Sequence, residues 1–276
     1  MKTPPFKSQA EKAADFAALH ESGCFVIPNP WDRGSARMLA ALGFQALTTT
    51  SAGFARSAGV PDYGVTRDLV LAHVRHLADA TDLPLAADLE NGFGHSPEDC
   101  AETIRLGAEA GLVGGSIEDA TGDGRAIYDI AEAADRIRAA VEAARALPHK
   151  FMLVARCENY LHGRPDLADT IRRLQAYQDA GADVLYAPGA NSAEEVRAIC
   201  ASVDRPVNVL GGIGPLNVAE LAALGVRRIS LGSFLHSAAM SAFVRAAEEA
   251  KASFSFTSAL VAGSEFDQLL EAGAGK

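Results

Sequence analysis

The stretch LPLAADLENGFG (83–94) decides how the rest of the chain is read. It opens as an apolar run without alternation and passes into two acids, Asp88 and Glu90. A strand apolar on both faces belongs in a parallel sheet covered by helices. Acids at its far end stand where parallel barrels carry their chemistry. Working outward, similar runs recur at CFVIPN (24–29), ALTTTS (46–51), GGSIED (114–119), FMLVARCE (151–158), DVLYAPG (183–189), PVNVLGG (206–212) and RRISLGS (227–233). With LPLAADLE (83–90) they make eight strand candidates.

The segments between them carry apolar residues at helical spacing, as in AADRIRAAVEAARAL (133–147) and DTIRRLQAYQDAGA (169–182). EAGLVGGS, DAGADVLY and AALGVRRIS each put a glycine between helix and strand, where a C-cap turns the chain back. Eight such units in 276 residues predict one α/β domain over 1–276, a closed (β/α)8 barrel of the TIM type. An open doubly wound sheet would carry a G-x-G-x-x-G fingerprint after the first strand, and GFGHSP (92–97) matches it only loosely and in the wrong place. Residues 5–22 predict an extra helix before the barrel, and 235–276 a C-terminal helical extension of the kind that packs on, or swaps with, a neighbouring subunit.

A net charge of −10 excludes nucleic acid and anionic membrane as principal partners, since both would be repelled over most of the surface. MKTPPFKSQAEKAADF (1–16) lacks the apolar core of a signal peptide, and no run is long enough to cross a bilayer, so a cytoplasmic protein is expected. Cys24, Cys100, Cys157 and Cys200 are scattered and indicate neither a zinc site nor a disulfide framework.

Three strand ends are acidic: Asp88 and Glu90 on the third, expected on one face by the period of two; Glu118 and Asp119 on the fourth; Glu158 beyond Arg156 on the fifth. Any one of these acids reads equally well as a helix cap. Together, converging on one barrel mouth with no histidine or cysteine cluster, they suit Mg²⁺ or Mn²⁺. Arg156 follows a strongly apolar run, a costly place for an unpaired cation. It either holds a substrate carboxylate or pairs internally with Glu118 or Glu158, and the two are compatible.

These segments resemble the isocitrate lyase and phosphoenolpyruvate mutase superfamily. AADLENGFG is similar to its acidic stretch after the third strand, with Glu90 where a second aspartate is commoner. SIED resembles the fourth-strand signature, VARCEN the arginine-bearing fifth strand, and NPWDRGSARMLAALGF the start of these proteins. TTTSAGFARSAGVPDYG (48–64) resembles the loop after the second strand, and the likeness spans roughly residues 10–250. It implies that Asp88, Glu90 and Glu118 hold Mg²⁺ (or Mn²⁺), partly through waters, with Asp62 nearby. It further implies that Arg156, Thr50, Ser51 and Ala52 receive the substrate carboxylate, and that the protein is a homotetramer.

The departures bear on the reaction. After the fourth strand the lyases carry a lysine, cysteine, glycine, histidine segment; here the place reads DATGDGRAIYD (119–129). The lysine and asparagine of the mutase loop are missing too, leaving Arg125 as a partial substitute, more simply read as a solvated charge. YAPGA and VLGGIG also lack the polar residues common at the sixth and seventh strand ends. His95, His162 and His236 are candidate acids or bases, each more simply read as a surface or satisfied histidine. The expected activity is cleavage of a C–C bond next to a 2-oxo carboxylate, by a decarboxylase, a C–C hydrolase or a lyase without the cysteine, with the metal facing the developing enolate charge. The alternatives are a phosphoenolpyruvate or phosphonopyruvate mutase or hydrolase, and a non-catalytic binder of 2-oxo acids. If Arg156 faces the mouth, its neighbour Cys157 faces outward and is a buried apolar residue, not the missing acid.

Overall fold

A computed structural model describes residues 7–123, 125–252 and 263–274. Its eight strands are β1 Phe25–Ile27, β2 Leu47–Thr48, β3 Leu85–Asp88, β4 Gly114–Glu118, β5 Met152–Arg156, β6 Val184–Tyr186, β7 Val207–Leu210 and β8 Arg228–Ser230, each inside a predicted run. All pairings are parallel, in the order β1-β8-β7-β6-β5-β4-β3-β2. The Thr48 N–H donates to the Pro28 carbonyl at 3.1 Å and joins β2 to the end of β1. The chain is an α/β barrel of eight parallel strands wrapped in helices.

The helices are α1 Gln9–Ala18, α2 Arg33–Ala41, α3 Ser51–Ser57, α4 Arg67–Ala78, α5 Pro97–Glu109, α6 Ile130–Arg145, α7 Leu167–Asp179, α8 Ala193–Ser202, α9 Val218–Ala223, α10 Phe234–Ala252 and α11 Gly263–Ala272. Polar caps start most of them; Ser8, Ser96, Ser192 and Asn217 each make a capping box with an acid three residues on. Gly111, Gly181 and Gly225 adopt φ near +100°, which lets each predicted helix-to-strand turn close without a side-chain clash. Among the described residues, no helix is long and apolar enough to cross a membrane.

Strand parity sorts two cores. Inside the barrel lie Ile27, Ala86, Met152, Val154 and Val184; between sheet and helices lie Leu85, Ala87, Ile117, Leu153, Ala155, Leu185, Val209 and Ile229. The predicted extra helix explains how the barrel bottom is sealed. α1 sends the fully buried Phe16 into the inner core, and Gly114 at the start of β4 makes room, since a Cβ there would stand 2.8 Å from the ring. The Gln9 side chain ties α1 down by donating to the Ala108 and Leu112 carbonyls at 2.7 and 2.9 Å. The predicted C-terminal extension is α10 and α11. α11 packs on α2 of its own chain, while α10 leaves Phe243 and Val244 exposed; residues 253–262 and 275–276 of the extension lie outside the described residues.

Removing the plug should be costly. Phe16→Ala is expected to lower unfolding free energy by about 3 to 5 kcal/mol, the usual loss for a fully buried phenylalanine, measured by urea denaturation.

Candidate active site

The same parity puts the C-terminal residues of β3, β4 and β5, Asp88, Glu118 and Arg156, on the inner wall at the barrel mouth. Arg156 Nη1 lies 3.3 Å from both Asp88 Oδ2 and Glu118 Oε2, and its Nε donates to Glu158. Both predicted internal partners are therefore present, and Asp88 makes a third. Thr49 Oγ1 accepts from the Asp88 N–H at 3.0 Å, and Ser51 Oγ donates to Asp88 Oδ2 at 2.9 Å. Thr50 caps α3, its hydroxyl accepting from the Gly53 N–H. Thr50, Ser51, Ala52, Asp62, Asp88 and Arg156 all line one cavity of about 210 Å³.

Two acids depart from the sequence expectation. Glu90 does not share a cavity with Asp88. The alternation ends with the strand, and Glu90 takes φ +49°, which turns it to an adjoining cavity of about 610 Å³ shared with Tyr63, Asn91 and His95. Its loop is anchored from behind by the buried Arg136 of α6, which donates to the carbonyls of Asn91, Gly94, His95 and Ser96. Asp119 faces outward and is structural: it accepts from Arg173 at 3.0 Å and Tyr177 at 2.6 Å, and from the Glu158 N–H at 2.7 Å. Cys157 also faces outward and is fully buried in the outer core, where burial pushes its thiol well above the usual range.

The carboxylates outnumber the cation they surround. Burial holds the Glu118 carboxyl well above its ordinary range; Arg156 opposes this, and Glu158 and Asp88 add to it. Burial, then Asp88 and Asp62, push Glu90 up to about 8, and burial with Asp88 raises Asp62. Glu90 Oε1 is buried without a hydrogen-bond partner. Hard oxygen donors, an orphaned buried oxygen and unbalanced negative charge fit a hard divalent cation. Among the described residues, no three acid, histidine or cysteine side chains converge closely enough to ligate an ion directly. The fit is therefore to an ion that keeps several waters, as Mg²⁺ does.

None of the three candidate histidines lines the 210 Å³ cavity. His95 shares a hydrogen bond with the Tyr128 hydroxyl at 2.7 Å; His236 is buried edge-on to Trp31; His162 sits in the loop after β5. Arg125 is exposed beside Asp123, the solvated charge its glycine-rich surroundings suggest. Sequence reasoning missed Tyr63, whose hydroxyl donates to Glu118 Oε1 at 2.6 Å. Burial and Glu118 raise its pKa, which keeps it a donor. No periodicity marks a tyrosine at φ +59° in a loop. Arg228 was missed as well, although parity within RRIS places it with Ser230 on the inner face.

The family profile described as phosphoenolpyruvate phosphomutase matches residues 16–251. The chain belongs to that family. Within the wider phosphoenolpyruvate mutase and isocitrate lyase superfamily, this family member is similar to a solved Burkholderia cenocepacia J2315 protein named as a candidate lyase/mutase. The two share 56% identity over 95% of this chain and 97% of that one, with a TM-score of 0.92. Oxaloacetate acetylhydrolase, solved with its product oxalate, is 27% identical over 94% and 93% of the two chains, with a TM-score of 0.84. Phosphonopyruvate hydrolase, solved with oxalate and Mg²⁺, is 25% identical over 94% and 95%, with a TM-score of 0.83. This phosphoenolpyruvate phosphomutase family member is thus one of a lyase/mutase superfamily of enzymes.

The raised carboxyls set a pH dependence. Glu90 folded titrates near 8 against an ordinary 4.5, so the stability it contributes is complete below about 4.5 and is lost as pH rises toward 8. In chelator-treated protein, Glu90→Gln should raise the melting temperature at pH 8, leave it near wild type at pH 4.5, and flatten the decline between, as read by calorimetry.

Proposed function

We propose that this chain is a Mg²⁺-dependent enzyme that cleaves a C–C bond next to the 2-oxo group of a small 2-oxo acid. The observation that carries the reading is the mouth itself: Arg156 between Asp88, Glu118 and Glu158, beside a buried carboxylate oxygen with no partner. The superfamily and the ligands of the two solved hydrolases support it. Asp88 would hold the ion, with Glu90 and Glu118 acting through waters. Mg²⁺ (or Mn²⁺) would supply positive charge facing the enolate oxygens as the bond breaks.

The chain's own residues do the rest. Arg156 takes the substrate carboxylate as a charge-assisted pair, and Thr50, Ser51 and Ala52 close on it with hydroxyl and N–H groups. Ser51, already bonded to Asp88, couples that loop to the ion's carboxylate. Asp62, whose carboxyl is raised above its ordinary range by burial and Asp88, stands over the cavity as a proton acceptor or donor. The Tyr63 hydroxyl on Glu118 keeps a second proton within reach of the mouth. With no cysteine in the loop after β4 and Cys157 turned away, decarboxylation, hydrolytic cleavage or a lyase reaction without a thiol acid is favoured. A phosphonate mutase or hydrolase is the second reading, favoured by the likeness to phosphonopyruvate hydrolase; phosphorus NMR with phosphonopyruvate decides between them. We place the enzyme in the cytoplasm as a homotetramer, with the exposed Phe243 and Val244 of α10 at a subunit contact.

Mg²⁺ should raise the melting temperature and support oxalate binding, and Asp88→Ala or Glu118→Ala should abolish both responses. Unchanged metal affinity by calorimetry in both variants would remove the metal assignment. Arg156→Ala should weaken oxalate binding and turnover at least about 100-fold, the loss of about 3 kcal/mol of charge-assisted contact, while Cys157→Ala keeps most of both. Light scattering should report four copies at micromolar concentration, and a monomer would remove the oligomer assignment.

A further inference from the structure

Among the described residues Arg136, Arg173 and Arg228 are buried and Arg156 is largely covered, and three of these four arginines are amply paired. Arg136 meets four carbonyls, Arg173 meets Asp119 and Asp169, and Arg156 meets three carboxylates. Arg228 differs. It is 4% exposed, its Nε and Nη1 have no hydrogen-bond partner, and no carboxylate among the described residues pairs with it. A guanidinium left so is strongly disfavoured against a methionine or leucine of similar volume, so packing alone does not account for it.

Its position says what it faces. Glu118, Arg156, Tyr186, Asn208 and Arg228 are direct register partners across β4, β5, β6, β7 and β8, all turned inward. Arg156 is the last residue of its strand and Arg228 the first of its own, so tilt of the strands carries this row from the mouth down into the barrel. Both arginines line the same 210 Å³ cavity. Between them stands Tyr186, with its ring 5.5 Å from the Arg156 guanidinium carbon and its hydroxyl 3.5 Å from Ser230 Oγ. Asn208 donates to Ser230 Oγ at 3.0 Å, and its own Oδ1 is buried and unpartnered. The deep end thus holds a bare cation among neutral hydrogen-bonding groups.

We propose that Arg228, with Asn208, Ser230 and Tyr186, forms a second anion subsite that receives the distal anionic group of the substrate, which makes that substrate a small 2-oxo dicarboxylate. This rests on the reading that Arg156 and the mouth acids take the 2-oxo carboxylate end. Besides the exposed Arg56, which also lines the cavity, Arg156 and Arg228 stand at two depths of it and match a molecule charged at both ends. The volume lies below the roughly 300 to 1,000 Å³ of drug-sized ligand sites, which suits a short acid.

The test is displacement of labelled oxalate from the Mg²⁺-loaded full chain by pyruvate, oxaloacetate, 2-oxoglutarate and phosphonopyruvate. Wild type should favour oxaloacetate over pyruvate by at least about 20-fold, as a buried charge-assisted pair provides. Arg228→Met should reduce that preference below about 3-fold while keeping oxalate and pyruvate affinity, and should melt no lower than wild type, since a buried unpaired charge is gone. Arg228→Lys should keep part of the preference. No preference in wild type, or equal losses for pyruvate and oxaloacetate in Arg228→Met, would overturn the subsite. Strongest displacement by phosphonopyruvate would keep the subsite and overturn the distal carboxylate. Oxalate that fails to bind the Mg²⁺-loaded wild type would instead remove the mouth reading on which the assignment rests.

Discussion

The Arg156 guanidinium is the point on which the barrel mouth depends. It brings together Asp88, Glu118 and Glu158 from two strand ends and a loop, in a setting where the buried Glu118 and Glu158 carboxylates alone would resist ionising. Burial works against the guanidinium too, yet Glu158, Glu118 and Asp88 hold it charged. Support comes from outside the barrel. Asp119, gripped by Arg173 and Tyr177 of α7, accepts the Glu158 N–H and so fixes the residue that pairs with Arg156 Nε. The outer layer of helices therefore sets the geometry of the inner site through one backbone bond.

That dependence separates what was readable in the sequence from what was not. Strand parity is a local property, so once FMLVARCE is a strand, Arg156 inward and Cys157 outward follow together. The same parity divides Glu118 from its neighbour Asp119, although a list of acids at strand ends groups them. Beyond the last strand residue the rule has no hold. Glu90 departs because it takes a left-handed conformation one step past Leu89, and the reason lies in Arg136, a helix residue far along the chain whose carbonyl contacts shape that loop. Tyr63 reaches Glu118 across 55 residues of sequence from a loop with no repeating pattern, so only the folded arrangement reveals it. Arg228 was open to the parity argument, but its significance lies in the partner it lacks, and a missing partner is a property of three-dimensional surroundings.

The inventory of protons near the mouth narrows the chemistry. None of the three candidate histidines and none of the cysteines lines the 210 Å³ cavity, and Arg125 is solvated. What remains beside the cavity is Asp62, together with the Tyr63 hydroxyl on Glu118. A site so furnished suits a reaction whose bond cleavage is driven by charge stabilisation more than by a dedicated thiol or imidazole acid.

An acidic protein that binds an anion needs its attraction to be local. At net charge −10 the long-range field repels a dianion, and salt damps that field within about 10 Å. Inside the cavity the balance reverses, because Arg156 and Arg228 sit where little water competes with a ligand for their charge. The carboxylates at the mouth carry the opposite problem, which a bound divalent cation would relieve. On the proposed reading the three charges act as one device: the cation neutralises the acids that would otherwise repel the substrate, Arg156 takes its 2-oxo carboxylate end, and Arg228 measures its length. Discrimination between a monoacid and a diacid would then arise at the deep end of the barrel, away from the loops over the mouth.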